Sequence, residues 1–239
     1  MKLSAALPTA TRHRPLALFP ISPSRVLFST ERVELALAEL PFLKDVRLTV
    51  LIADRFQAYN AAMGIARHAE ENRDHRASVK RLLKERQAWL QSVVKTPSIA
   101  RRLSSDVSII GVDEIAGKVA YRTLRNLRIL FASDSAFRQD LLSVAKNFLS
   151  SRKNHNNIVL NTDLSIDYLL DEFACNLAFR VCRGVSIECY VGAFHLPHLR
   201  LFDGFYSKNV FELTECRSSR GEFEFWVFEP DGRSWRQIR

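Results

Sequence analysis

Apolar residues in this chain fall into two kinds of run. Some are short and unbroken, the length of a buried strand, and others are long with a three-to-four residue repeat. Leu16 to Ile21 and Val46 to Ala53 belong to the first kind. A continuous apolar run of that length, bounded by turn formers, is how a strand covered on both faces reads. Between them, Thr30 to Leu40 has helical spacing, with Thr30 as the expected N-cap and Glu31 in the first turn. Two such strands around a helix form a βαβ unit, which predicts a parallel sheet.

The centre of the chain is helical by the same criterion. Helices are expected over 55–70, 74–94 (ended by Pro97), 113–130, 134–150 and 163–180, the last three opened by the capping aspartates Asp113, Asp134 and Asp163. Val107 to Gly111 and Ser186 to Val191 read as further strands, and 151–157 as a polar loop. Gly221 to Phe228 alternates Glu and Phe, as a half-exposed strand does, before a Pro-Asp-Gly turn at 230–232. No repeat or linker breaks the pattern. The expectation is one α/β domain over 16–239 behind a flexible tail, 1–15.

Composition adds a partner class. With 239 residues, 47% of them hydrophobic, the chain can bury one sizeable core. A formal charge of +9 favours a polyanionic partner. The four cysteines (Cys175, Cys182, Cys189, Cys216) form no CxxC pair, so nothing demands an oxidising compartment. Pro8, Arg12, His13 and Arg14 interrupt any signal-peptide core, and no apolar run has membrane-spanning length, so a cytoplasmic protein is expected. Cys189, His195 and His198 are too loosely spaced for a ligand set, and neither a metal nor another cofactor is expected.

Four features offer chemistry. Ser22 follows the first strand and precedes a helix, the place where open α/β sheets bind ligands, although Ser-Pro also starts turns. Without a Gly-x-Ser-x-Gly elbow or a recognisable histidine set, a serine hydrolase is disfavoured. Tyr168 and Glu172 share one face of their helix, and Tyr190 ends a strand. Lys80, Arg81 and Lys84, with Arg86 nearby, fall near one face of the 74–94 helix and suit a phosphate backbone. Taken singly, each also fits a structural role: a turn, an interface tyrosine beside a solvated acid, a solvated helix face with Glu85.

Jointly they resemble a known family. Ile21-Ser22 followed by Phe28-Ser29, the basic run Ser78 to Lys84, Tyr121 before Arg122, the Tyr168/Glu172 pair and Tyr190 after Cys189 stand in the order found in the tRNA-dependent cyclodipeptide synthases. That family joins two amino acids, taken from charged tRNAs, into a diketopiperazine. The resemblance spans residues 16–200 and leaves the C-terminal forty unmatched. It implies a Rossmann-like parallel sheet flanked by helices, similar to the catalytic domain of class I aminoacyl-tRNA synthetases. It also implies Ser22 as nucleophile, with Tyr168, Glu172, Tyr190 and Tyr121 as catalytic partners. Leu18, Pro20, Arg25, Leu51 and Glu188 would line the substrate pocket, and Lys80, Arg81, Lys84 and Arg86 would hold tRNA.

The partners implied are two aminoacyl-tRNAs, used by a monomer. No His-x-Gly-His or Lys-Met-Ser-Lys-Ser signature of ATP chemistry is present. An aminoacyl-tRNA is already an activated ester, so none is needed. The chain departs from family patterns at Pro20, where many members have Gly, at Arg25, where one subfamily has Asn, and at Val191, where another has Pro. Facing the pocket, Glu188 would partner a polar or basic first amino acid; facing solvent, it would have no such role. A non-catalytic tRNA-binding protein also accounts for the charge and the basic helix, but leaves Ser22, Tyr168 and Glu172 without a use.

Overall fold

The computed structural model describes residues 14–21, 29–53, 75–103, 107–112, 117–150, 162–191, 196–215, 223–229 and 234–238. Six strands form one sheet: β1 (Leu16–Ile21), β2 (Arg47–Ile52), β3 (Ser108–Gly111), β4 (Val185–Val191), β5 (Glu224–Phe228) and β6 (Trp235–Gln237). Their order is β3-β2-β1-β4-β5-β6, and all pairings are parallel except β5 with β6. Strands from both halves of the chain therefore meet at β1 and β4. The continuous apolar runs of β1 and β2 follow from their central places, since both faces of such a strand are covered.

Helices cover both sides. On one lie α1 (Thr30–Glu39), α2 (His75–Val94) and the short α3 (Pro97–Ala100). They pack Val33, Ala36, Leu37, Leu90, Val93 and Ile99 against Ala17, Phe19, Ile21, Val50 and Ile52. On the other lie α4 (Lys118–Ser133), α5 (Ser135–Ser150), α6 (Thr162–Arg183), α7 (Leu196–Phe202) and α8 (Val210–Thr214). These share a core with Leu18, Leu51 and Ala53, the alternate residues of the same strands. α6 is its centre, buried along nearly its whole length, with α4 and α5 packed on it.

Several local expectations change. Ser29, not Thr30, is the N-cap of α1, and Thr30 is its first helical residue. The helix expected from 113 starts at Lys118 behind Gly117 and runs to Ser133; Asp113 lies outside the described residues. So do the 55–70 helix, the 151–157 loop and the 230–232 turn. Asp134 does cap α5, accepting the Phe137 N–H at 3.0 Å. α3, α7, α8 and β6 were not anticipated, because helices of four to seven residues and a three-residue strand are too short to display a period. β6 is held by Trp235, which donates to the Ala36 carbonyl at 2.8 Å and packs on Phe19 and Phe228.

One residue, Gly184, joins α6 to β4. Its φ is +66°, in the left-handed region, and a Cβ placed there meets nothing within 4 Å. A substitution would thus cost conformational strain alone. Gly184→Ala is expected to lower stability by about 1 kcal/mol, seen as a lower urea midpoint with an unchanged slope.

Candidate active site at the sheet switch point

Ligands of open parallel sheets bind at the carboxyl ends of the strands, where neighbouring connections leave in opposite directions. Here that point lies between β1 and β4: β1 leads to β2 on one side, and β4 leads to β5 on the other. β1 ends at Ile21, so Ser22 is the next residue in the chain; Ser22 and Arg25 themselves lie outside the described residues. β4 ends with Tyr190 and Val191.

The tight Gly184 turn sends β4 back alongside α6, so residue heights can be compared. Glu172 lies roughly 16 Å up the helix from Arg183 at 1.5 Å per residue. Tyr190 lies roughly 16 Å up the strand from Val185 at 3.3 Å per residue. Tyr168 is one helical turn above Glu172. The expected Tyr/Glu pair therefore stands at the same end of the sheet as the carboxyl ends of β1 and β4.

Strand alternation sets the faces. Ile187, Cys189 and Val191 join the α1–α3 core, which turns Glu188 and Tyr190 toward the side of α6. Leu18 and Leu51 share the α6-side cluster with Tyr168, and buried Pro20 alternates onto that side with Leu18. Tyr168 is only 5% exposed, while Glu172 and Tyr190 are half-buried. The apolar layer thus buries the body of Tyr168, and Glu172 one turn below is half-buried, with its Oε2 oxygen shielded from solvent. Tyr121 is not part of this cluster. It is 58% exposed on the outward face of α4, whose inward face is Ala120, Thr123, Leu127 and Leu130.

Glu188 is neither in an open pocket nor in solvent. It pairs with Leu18 across the sheet and is 1% exposed. Its Oε2 accepts a hydrogen bond from Arg180 Nη1 at 2.5 Å, and His198 Nε2 lies 3.7 Å away. Burial raises the Glu188 carboxyl above its usual range, and the Arg180 charge and hydrogen bond offset that rise only in part. Arg180 is fully buried at the other end of the same helix as Tyr168. Its guanidinium carbon sits 4.3 Å from the ring centre of Phe225 and 4.5 Å from that of Phe202, with Phe223 at 5.2 Å. Arg180 was not anticipated. Its signal was a lone arginine in the apolar stretch Cys175–Val181, facing a lone glutamate in an apolar strand across one glycine.

The loose Cys189/His195/His198 trio does not converge. Cys189 faces the α1–α3 core, whereas His198 packs with Phe173 and Phe202 on the opposite side of β4. His195 lies outside the described residues. Burial, then the neighbouring Glu188 charge, pushes the Cys189 thiol well above its usual range, so it stays protonated.

The basic helix is divided by its own packing. α2 rests on the core through Leu90 and Val93. Arg81 points the opposite way, with its side chain 77% exposed and only a loose 3.9 Å contact to Glu85, and Lys84 is also exposed. Arg86 shares the packed azimuth and lies 5.3 Å over the Trp89 ring, apart from the other two. Lys80 lies within α2, but its side chain is not among those described. Among the described residues, no helix is long and apolar enough to cross a membrane.

No family model and no curated protein matches the sequence. Solved structures do match the fold. A cyclodipeptide synthase (CDPS) from Fluoribacter dumoffii aligns with a TM-score of 0.61 at 16% identity, over 82% of this chain and 87% of that one. A cyclodipeptide synthase from Streptomyces noursei aligns at 0.56 and 14%, over 90% and 96%. A Mycobacterium tuberculosis protein, described as demonstrating that cyclodipeptide synthetases are related to type I tRNA synthetases, aligns at 0.56 and 16%, over 94% and 85%. At these identities the likeness is one of architecture, and it includes the mostly parallel sheet, the helical layers and nearly the full length. This chain has the fold of the cyclodipeptide synthases.

Proposed function

We propose that this protein is a cyclodipeptide synthase that uses two aminoacyl-tRNAs. The observation that supports this most is the convergence at the switch point. β1 ends one residue before Ser22, β4 ends at Tyr190 and Val191, and Glu172 stands level with Tyr190 with Tyr168 just above, within a fold shared with cyclodipeptide synthases. A non-catalytic RNA binder would have no use for this convergence.

The reaction is an ordered exchange of esters and amides. The Ser22 hydroxyl attacks the carbonyl carbon of the first aminoacyl-tRNA ester; the bond to the ribose oxygen breaks, and that oxygen takes the serine proton. The α-amine of a second aminoacyl-tRNA then attacks the seryl-bound first residue on the enzyme. In this step the seryl oxygen leaves, the amide forms, and the resulting dipeptidyl-tRNA passes its acyl group back to Ser22, freeing the second tRNA. Finally the free amine of the dipeptide attacks its own seryl ester, closing the ring and restoring the hydroxyl. Two esters are consumed and two amides formed, so no ATP enters. Glu172 holds the substrate ammonium and accepts its proton, while Tyr168, set by Tyr190, orients the amine. A free phenol, with a pKa near 10, is too weak a base to act alone. Proximity supplies much of the acceleration. Tyr121, exposed on α4, stands apart from this cluster and takes no part in these steps. An enzyme that draws on charged tRNAs works beside the translation machinery, in the cytoplasm.

Leu18, Pro20 and Leu51 are buried apolar residues on the α6 side of β1 and β2, and Glu188 is already engaged by Arg180. An apolar first amino acid suits these surroundings best. Medium from bacteria expressing the protein is expected to contain a diketopiperazine mass with at least one apolar residue, and none when Ser22→Ala replaces wild type. A product that survives the substitution contradicts the reading. So does a soluble wild type that gives no product when supplied with all aminoacyl-tRNAs.

Arg81 and Lys84, outward on α2, contact the phosphate backbone. The pair Arg81→Glu and Lys84→Glu is expected to weaken tRNA binding about tenfold or more and to flatten its dependence on salt, by roughly one unit of slope for each cation removed. Arg86→Ala changes affinity less, because Arg86 is already stacked on Trp89. Filter binding across a salt series reads all three.

A further inference from the structure

We propose that Arg180 and Glu188 are positioning residues, a buried lock that sets how far α6 stands up against β4 and so places Tyr168 and Glu172 relative to Tyr190. This inference rests on the proposed active site but adds two residues to it. α6 and β4 are covalently tied only at their lower ends, through Gly184. A single left-handed residue fixes the start of the turn and leaves a helix packed by apolar contacts free to choose among nearby heights. Apolar packing is non-directional. A charged hydrogen bond is not.

Helical side chains lean toward the helix N-terminus. Arg180, roughly 5 Å above the end of α6, therefore reaches up to Glu188, roughly 10 Å up β4, and meets it at 2.5 Å. Both groups are essentially without solvent exposure, so the carboxylate has no water to turn to if the helix slides. The guanidinium cannot swing either. Rings of Phe202 from α7 and Phe225 from β5 lie 4.5 and 4.3 Å from it, Phe223 lies at 5.2 Å, and His198 of α7 flanks the carboxylate. Four elements thus clamp one ion pair. The lock sits close to the chemistry along each element: Glu188 is two residues, one strand repeat, below Tyr190, and Arg180 is eight residues along α6 from Glu172. A mismatch of about 1 Å between these groups is enough to lose about 100-fold in rate.

The test compares Arg180→Met with the double variant Arg180→Met/Glu188→Leu. The single variant leaves a buried carboxylate alone and is expected to unfold or lose much of its stability. The double variant replaces the pair by apolar groups of similar volume, which buried pairs commonly tolerate, so it is expected to fold with a thermal midpoint near wild type. Two measurements then follow on the double variant. In the first, kcat for cyclodipeptide formation is expected to fall at least tenfold, with tRNA affinity unchanged and KM within about twofold. A folded double variant with wild-type kcat overturns the proposal. The second needs no activity. In protein labelled with 3-fluorotyrosine, the ¹⁹F resonances of Tyr168 and Tyr190 are expected to shift while that of exposed Tyr121 holds; resonances unchanged at Tyr168 and Tyr190 overturn it as well. If wild type makes no product but these resonances move, the lock stands and the proposed reaction falls. A double variant that does not fold is replaced by Arg180→Lys, which keeps the charge but not the planar fork, read by the same resonances.

Discussion

Taking a carboxylate and a guanidinium out of water is so costly that the two persist together only where each satisfies the other and the surroundings fill every gap. The Arg180–Glu188 pair answers part of that demand, with the Nη1 hydrogen bond to the carboxylate and aromatic rings from α7, β5 and residue 223 around the guanidinium. The consequence is directional. Elsewhere α6 is held by Tyr168, Leu170, Phe173, Leu177 and their neighbours in an apolar layer, which rewards burial but tolerates small slides. At the pair, the helix and the strand must agree on one height. The central helix of the molecule, and with it the candidate catalytic side chains two turns and more above, is referred to β4 through that bond.

The rest of the arrangement follows from sheet topology. Placing β1 beside β4, with connections leaving on opposite sides, is the topology at whose carboxyl ends open sheets take their ligands. The chain puts a serine directly after β1 and a tyrosine near the end of β4, and the one-residue Gly184 turn folds α6 back so that its upper half reaches the same level. The two helical layers then divide the labour. The α4–α6 side supplies acid, phenol and apolar wall. The α1–α3 side carries the outward basic face of α2, where a polyanion can be held without entering the core. The proposed exchange of one ester for another and then for an amide needs this kind of scaffold: placed groups and a held substrate, with the activation supplied by the tRNA ester.

The sequence was most legible where a single local force decides structure. β1 and β2 are apolar without interruption because they lie in the sheet interior, and α2 and α5 carry enough turns for their period to show. The family motif order pointed to the fold that solved cyclodipeptide synthases share, although no family model registers it. What stayed hidden depended on distant partners. α7 and α8 are too short for periodicity, and β6 exists because Trp235 finds Ala36 nearly two hundred residues earlier. Glu188 read as a pocket or surface acid because its partner, Arg180, is recognisable only after α6 is known to fold back on β4. Arg86 read as one of a basic cluster until its azimuth placed it on Trp89, and Tyr121 read as a companion of Tyr168 until α4 turned it outward.

The most direct test of the account is to trap the covalent intermediate. Purified protein mixed briefly with a single labelled aminoacyl-tRNA, quenched in acid and digested, should give a peptide containing Ser22 that is heavier by one aminoacyl residue, with the added mass released by hydroxylamine as expected of an ester. Bound tRNA with no ester on the protein, or an ester on a peptide that lacks Ser22, would contradict it.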